Sequence, residues 1–555
     1  MVTAFVVFIS SSTYGIQAET EKALLLGDWS SVFQKVVRDI GYSYEPVERV
    51  LLYHASVATN YAGCTDYLFR HQGDTKYWLE WTSEFRNQNP HSYIAEFLFG
   101  DAQYNEGSNE QATEAFEKCL ELKADCALAH LGLSTVYFEM GSVENALEHA
   151  DQAIKIDRSL ADAYLKRGVI YHYSGKSDLA FEDYNEAIKL NPANVLAYYN
   201  RGILWTDRGY SDSAIADYNR SLQRYTKLGA IYMSRGEVYQ DLGQLDNAIK
   251  DFTSVLKFSP NDTKALFKRA MSFCNKQDFN SAITDLENVL ALNPNIPQAY
   301  FLLGLAYGGK QDCKTAIPHY SEFLRTNPTS VEALSYRAIA YGICGEYEKA
   351  IADNTTALEQ NPKMGLLYIN RANALRKIGD FERALQDYNK AIELGDSSYE
   401  VFINRGGLFE EINEFDKALG DYATAIEKDS LKPAAYSNRG NVHVSMGDFN
   451  KAYQDFKRAI KVAPSFAGAY NNLAFAYYKE GKFDSALVVC KEALIVDSTL
   501  AETHDTHARI LEAIGSIKEA IEAYQLVIKY ERPEKAALVK KAKEKIAELI
   551  NTLNE

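Results

Sequence analysis

Small and large apolar residues return along this chain every 34 positions. Aligned on Gly141, Gly175, Gly209 and Gly243, one frame runs from residue 93 to residue 534 without insertion or deletion. It gives thirteen units, beginning at 93, 127, 161, 195, 229, 263, 297, 331, 365, 399, 433, 467 and 501. Position 20 is alanine in every unit, from Ala112 and Ala146 to Ala486 and Ala520, and position 8 is only glycine, alanine or serine, as in Gly168, Gly202, Ala270 and Gly440. Positions 4 and 24 are mostly aromatic or large, as in Tyr164 with Tyr184 and Tyr436 with Phe456. The small columns predict two helices in close approach, because a larger residue there overpacks the contact at roughly 1–3 kcal/mol. Position 15 is usually glycine, which suits the left-handed end of a first helix. Pro192, Pro260, Pro294, Pro328, Pro362 and Pro464 share position 32, just past a second helix. Each unit therefore reads as a helix of roughly 13 residues, a tight turn and a second, antiparallel helix, and the fixed period predicts an all-α solenoid rather than several separate domains.

Two charged columns vary together. Position 7 is Arg167, Arg201, Arg235, Arg269, Arg337, Arg371, Arg405 and Arg439, and position 23 of the same units is Asp183, Asp217, Asp251, Asp285, Asp353, Asp387, Asp421 and Asp455. The other five units lack both, with Phe99/Ala115, Leu133/His149, Leu303/His319, Leu473/Val489 and His507/Ala523. Positions 7 and 23 lie symmetrically about the turn at 15, so an antiparallel pair sets them at one level. The expectation is a buried or half-buried guanidinium–carboxylate pair in each of the eight units. Its net stabilisation is small, because desolvation offsets the attraction. The paired aspartates also argue against eight arginines lining a nucleic-acid groove.

These columns resemble the tetratricopeptide repeat family. The stretch Tyr164-x2-Arg167-Gly168-x2-Tyr171…Gly175…Ala180…Tyr184…Ala187…Pro192 is nearly the full pattern, apart from arginine where the family often has leucine. The resemblance implies a right-handed superhelix of thirteen repeats with first helices lining a concave face. It also implies that positions 2, 5, 6, 9, 12 and 13 face that groove. There the C-terminal repeats place Asn370 and Asn373, Asn404, Asn438 and Asn441, then Asn471 and Asn472. An asparagine amide both donates to and accepts from a peptide unit, so a row of them is suited to hold an extended chain by its backbone. This resembles the asparagine ladder of the O-linked N-acetylglucosamine transferases, although residues 535–555 are too few for a catalytic domain. The plainer alternative is that these asparagines are solvated or bridge neighbouring helices. A second surface, Phe301, Leu302, Leu305, Tyr336, Ile339 and Ile343, is expected either to take an amphipathic helix or to be packed within the protein. Lys264 and Lys268 have the spacing of a carboxylate clamp for chaperone tails, but Ser234, Ile203 and Tyr199 stand where its asparagine and lysine partners belong.

The ends differ. Met1–Ser10 is a short apolar run that fits the core of a secretory signal with cleavage after Ala18, although no Lys or Arg precedes Lys22. The alternatives are a frayed terminus or a buried first element. If the signal is real the protein is secreted or periplasmic; otherwise it is cytoplasmic. Residues 19–92 read as a degenerate helical N-cap, with Gly27-Asp28-Trp29 and Gly73-Asp74 as turn remnants and Trp78 where alanine stands elsewhere. Residues 535–555 carry Leu538, Ala542, Ile546, Leu549, Ile550 and Leu553 on one stripe, a capping helix for the last open repeat, or alternatively a basic membrane-surface helix.

Composition narrows the function. Apolar residues are 46% and charged residues 24%, so the chain is neither wholly disordered nor a membrane bundle. With 59 basic and 75 acidic residues the net charge is −16, which disfavours a nucleic-acid partner. The seven cysteines form no CxxC pair; Cys313 and Cys344 fall at one end of adjacent helices, so an exported protein could bridge them, and the sequence leaves open whether it does. The run from Gly304 to Gln311 imitates a phosphate loop without its final Ser or Thr, and His504 with His507 occupies packing columns rather than a metal site. No cofactor or catalytic residue is expected. The expected function is a non-enzymatic scaffold that binds a protein or peptide segment in its groove. The alternative is an assembly subunit of a secretion, envelope or glycosyltransferase complex that docks a folded catalytic partner.

Overall fold

The computed structural model of the chain describes residues 75–554, apart from 89, 225, 227 and 531–535. The signal reading of residues 1–18, most of the N-cap reading of residues 19–92, and the side chain of Trp78 lie outside the described residues. The chain divides between Pro294 and Asn295 into two compact units. The described residues are helical throughout, in antiparallel pairs. The first unit holds six pairs after the helix Thr75–Gln88, from Tyr93–Asn105 with Asn109–Leu122 to Thr263–Asn275 with Phe279–Leu292. The second holds seven, from Pro297–Gly309 with Cys313–Thr326 to Ala501–Ala513 with Ile517–Tyr530, followed by Ala536–Asn554.

The turn column is more uniform than its residues. All thirteen positions 15 have a left-handed backbone, including Gln277, Gln311 and Asn413 at φ 62°, 61° and 62°. The turn closes as a Schellman motif: Ser142 N–H reaches Tyr137 O at 2.8 Å and Gly141 N–H reaches Phe138 O at 3.0 Å. Several first helices open on a capping side chain, as where Asn194 accepts from Ala197 N–H.

All thirteen alanines of position 20 are buried. The position 8 column serves a more specific purpose than the close helix approach read from the sequence. Each of its seven glycines lies under the aromatic ring at position 24 of the same repeat. A Cβ at Gly100, Gly168, Gly202, Gly236, Gly304, Gly406 or Gly440 would stand 2.5–2.9 Å from the nearest ring atom. In these seven repeats the ring takes the space of the missing Cβ, whereas Tyr388 and Tyr524 are accommodated in repeats with Ala372 and Ala508 at position 8.

The eight arginine–aspartate pairs are all formed, each with Nε and Nη2 donating to the two carboxylate oxygens. Arg201 does so to Asp217 at 2.7 and 2.8 Å. The same geometry holds from Arg167–Asp183 to Arg439–Asp455. In seven of the eight the remaining amine, Nη1, reaches back to position 25 of the preceding repeat: Asp151, Asn185, Asn219, Thr253, Ser321, Thr355 and Asn389. One guanidinium thus closes its own repeat and ties it to the one before. Where Leu133 and Leu303 replace the arginine, His149 and His319 stack instead on Tyr137 and Tyr307, at 12° and 8° between planes.

The helix Ala536–Asn554 caps the last pair. Ala542 and Leu549 are buried and Leu538 and Ile546 pack on the cluster around Tyr524 and Val527. This uses the stripe for the core rather than for a membrane surface. Ile550, assigned to that stripe by the sequence, is instead exposed, one residue beyond the face that Leu549 buries. Among the described residues no helix is long and apolar enough to cross a membrane.

Candidate functional site

Adjacent first helices in the second unit lie side by side, with a regular offset. A residue at one position of a first helix meets the next-numbered position of the following one, 35 residues on. Arg376 and Glu411 are such a pair, with Nε and Nη2 donating to Oε2 and Oε1 at 2.9 and 2.8 Å. The Arg376 guanidinium also donates to the Asn404 carbonyl at 3.3 Å. It lies flat across Gly407, where a Cβ would stand 2.8 Å from its nitrogen. Glycine at that position is what admits the arginine.

Beneath this bridge is a polar cleft of about 600 Å³, lined by Asn404, Asn438, Asn441, Glu410, Glu411 and Arg376 among others. Glu410 accepts from the Tyr422 hydroxyl at 2.8 Å. Burial pushes the Glu410 carboxyl up, while its hydrogen bond to Arg376 holds Glu411 down. Burial, reinforced by Glu410, also raises the Tyr422 phenol, so it stays protonated and donating. The cleft offers amide donors and acceptors beside one guanidinium and two carboxyls. Such a set of groups is chemically able to donate to and accept from an amide.

The structure splits the seven asparagines read from the sequence. Asn404, Asn438 and Asn441 share the cleft. Asn370 and Asn373 line a separate cavity of about 320 Å³ with Ile339, Ile343 and Asn354. Asn370 also donates to Ser335 Oγ at 3.5 Å, and Asn373 Oδ1 accepts from the Tyr388 hydroxyl at 2.5 Å. Asn472 donates to Ser437 Oγ at 3.0 Å, bridging neighbouring first helices as the plainer reading had it, and Asn471 Oδ1 is buried with no partner. Arg376, Gly407, Glu410 and Glu411 were missed, because their meeting depends on the offset between repeats.

The apolar surface is only partly free. Phe301 packs on Tyr320, Phe323 and Tyr336, and Leu305 joins the core around Ala316. Tyr336, Ile339 and Ile343 stay exposed. Beside them Cys313 and Cys344 are joined as a disulfide, while Cys119, Cys126, Cys274 and Cys490 are free thiols. The lysines of the incomplete clamp are engaged, Lys264 and Lys268 lying 3.0 and 3.4 Å from Glu237. His504 is buried, bonded through Nε2 to the Ser498 carbonyl at 2.9 Å and stacked on Tyr530. No group of three or more metal-ligating side chains occurs among the described residues.

Family models for the tetratricopeptide repeat match residues 97–126, 135–175, 170–205, 229–262, 270–311, 366–395, 440–481 and 467–498. No curated protein sequence matches the chain. Among solved structures it is similar to yeast Tom70 (18% identity, TM-score 0.38, covering 83% of this chain and all of the other). It is also similar to the Cut9 complex with Hcn1 of the APC/C (14%, 0.36, covering 81% and 96%). YrrB, a TPR protein with an unusual peptide-binding site, matches over a shorter stretch (21%, 0.33, covering 34% and 97%). These likenesses are of repeat architecture and say nothing of ligand. The thirteen-fold column pattern, the helix pairs it builds and the family models agree: the chain belongs to the tetratricopeptide repeat family and has the architecture of a protein–protein interaction scaffold.

Proposed function

We propose that the chain works without catalysis of its own, by holding an extended peptide or protein segment along the first helices of the repeats from 365 to 479. The observation that carries this reading is the polar cleft in which Asn404, Asn438 and Asn441 converge beneath the Arg376–Glu411 bridge. Three amides on two successive first helices each offer a donor and an acceptor to a peptide unit. Backbone recognition leaves side-chain choice loose, so the ligands share an extended conformation and a neutral or basic character.

The test is a crosslinked pull-down read by mass spectrometry, together with direct binding of unstructured peptides. It compares the native chain with a variant carrying Asn404→Ala, Asn438→Ala and Asn441→Ala. Loss of the peptide partners from a variant that is still helical supports the reading. An unchanged partner list sinks it, and capture of one folded protein alone points to docking of a folded partner instead.

A further inference from the structure

Position 24 carries an aromatic ring in nine of the thirteen repeats, and all nine are almost fully buried. Three of the six tyrosines among them bond position 12 of their own first helix: Tyr218 reaches Thr206 at 3.1 Å, Tyr422 reaches Glu410 at 2.8 Å and Tyr524 reaches Glu512 at 3.1 Å, while the Tyr184 hydroxyl is buried without a partner. The repeat starting at 331 breaks this column. Its position 24 is Asn354, and the position that would meet a tyrosine hydroxyl is Gly342. The repeats on either side keep their rings, Tyr320 and Tyr388.

The missing ring leaves space. Asn354 lines the cavity of about 320 Å³, walled by Ile339, Ile343 and Tyr347 and rimmed by Asn370 and Lys377. Asn354 itself is only 1% exposed. Its amide nitrogen donates to the Ala350 carbonyl at 2.9 Å, which fixes the orientation of the group. Its Oδ1 is buried with no hydrogen-bond partner. A buried acceptor without a donor is costly, and natural cores rarely contain one. An apolar-walled cavity whose lining includes a residue with a buried, unanswered acceptor, in the column where six other repeats bury tyrosine, is complementary to a ring bearing a hydroxyl.

We propose that this cavity is an anchor pocket for a tyrosine side chain of the bound segment, with the phenolic O–H donating to Asn354 Oδ1. A phenylalanine would fill the space but leave the acceptor unpaired. A lysine would bring a charge between isoleucines and beside Lys377, where neither solvation nor a counter-ion offsets it. The assignment deepens the peptide-holding reading and rests on it for the identity of the ligand as a peptide. It also gives the exposed edges of Ile339 and Ile343 an occupant.

The experiment titrates the full chain with p-cresol, toluene and indole, followed by calorimetry and ligand-observed NMR. The native protein is expected to bind p-cresol saturably and toluene about tenfold more weakly, the share of one buried hydrogen bond. Asn354→Tyr should abolish binding of both, because the introduced ring fills the pocket. Tyr388 and Tyr524 already sit opposite Ala372 and Ala508, so a ring facing Ala338 is compatible with the fold. Asn354→Leu, which copies the Leu286–Ala270 pairing of an earlier repeat, should erase the preference for p-cresol over toluene. Equal binding of p-cresol and toluene by the native chain overturns the proposal. So does p-cresol binding that survives Asn354→Tyr, tighter binding of indole, or no binding up to the solubility limit of p-cresol. The asparagine triple variant keeps this pocket, so p-cresol binding persists in it even if the backbone-holding reading fails.

Discussion

Replacing Arg167 by leucine and Asp183 by histidine, singly and together, would copy into one repeat the arrangement that Leu133, His149 and Tyr137 already make. In the native repeat Arg167 donates to Asp183 at 2.8 and 2.7 Å and to Asp151 at 2.7 Å. The Asp183 side chain is 7% exposed and that of Arg167 21%. Arg167→Leu strands a buried carboxylate, at a cost of about 3 kcal/mol. Asp183→His leaves a guanidinium that still reaches Asp151 near the surface, at about 2 kcal/mol. The double variant places an imidazole beside Tyr171 and an apolar side chain in the arginine's place, so it should cost about 2 kcal/mol rather than 5, a coupling of about 3 kcal/mol. Burial already pushes the Asp183 carboxyl up against the pull of Arg167. Without the arginine it rises further, so the folded state holds its proton more tightly than the unfolded chain. Stability of that variant is then retained at low pH and lost as pH rises through the folded value. The Arg167→Leu penalty should therefore shrink as the pH falls from 7 towards 4. The assay is native-state hydrogen exchange by mass spectrometry over Ala161–Tyr173 and Ser177–Leu190, which reads local opening in the intact chain. Additive single costs, or a penalty that grows at low pH, would refute the reasoning.

Other outcomes follow from the same geometry. Gly304→Ala puts a Cβ 2.5 Å from the Tyr320 ring and should cost about 1–3 kcal/mol in urea unfolding, largely relieved by adding Tyr320→Leu; a neutral Gly304→Ala contradicts the ring-and-glycine account. Gln311→Gly relaxes a left-handed backbone at φ 61° and should raise the urea midpoint, by about 1 kcal/mol in stability. Reducing and alkylating Cys313–Cys344, a sequence separation of 31, should cost about 3–4 kcal/mol in the repeats it joins, and no change in their exchange rates would count against it. His130 and His149 meet Nδ1 to Nδ1 at 2.9 Å, and burial lowers both below the ordinary value of 6.5 despite Glu148 nearby. The unfolded chain then binds more protons, so the repeat from 127 to 160 should loosen as pH drops below 6.5, and His149→Phe should flatten that dependence.

Much of the fold was legible because each column repeats one physical demand thirteen times. Ala112 to Ala520 announced the closest helix contact, and Arg167 with Asp183 announced a pair because they vary together within one chain. The backward bond to Asn185 or Thr253 was not legible, since position 25 needs only an acceptor and so varies freely among Asp, Asn, Ser and Thr. The candidate site was less readable for a related reason. Asn438 and Asn472 look alike in sequence, yet one lines the cleft and the other is spent on Ser437. Arg376, Gly407 and Glu411 belong to two repeats, and only the 35-residue offset brings them together. Asn354 is one of four breaks in the aromatic column, with Ala150, Leu286 and Cys490, and it went unread because its meaning lies in an oxygen that finds no partner.

The backward reach of each guanidinium gives the array a direction. Six repeats, those with Arg167, Arg201, Arg235, Arg269, Arg337 and Arg371, supply the donor for the boundary behind them and carry at position 25 a side chain able to accept for the boundary ahead. A tandem duplication of such a repeat copies both halves at once, so a new boundary is complete on arrival and the array is able to lengthen without fresh adaptation. The C-terminal boundaries lack this bond: Ala423 before Arg439 offers no side-chain acceptor, and Leu473 and His507 supply no guanidinium. Under mechanical load the chain should therefore peel from that end, repeat by repeat, and stop where the first intact clasp, Arg405 on Asn389, is met.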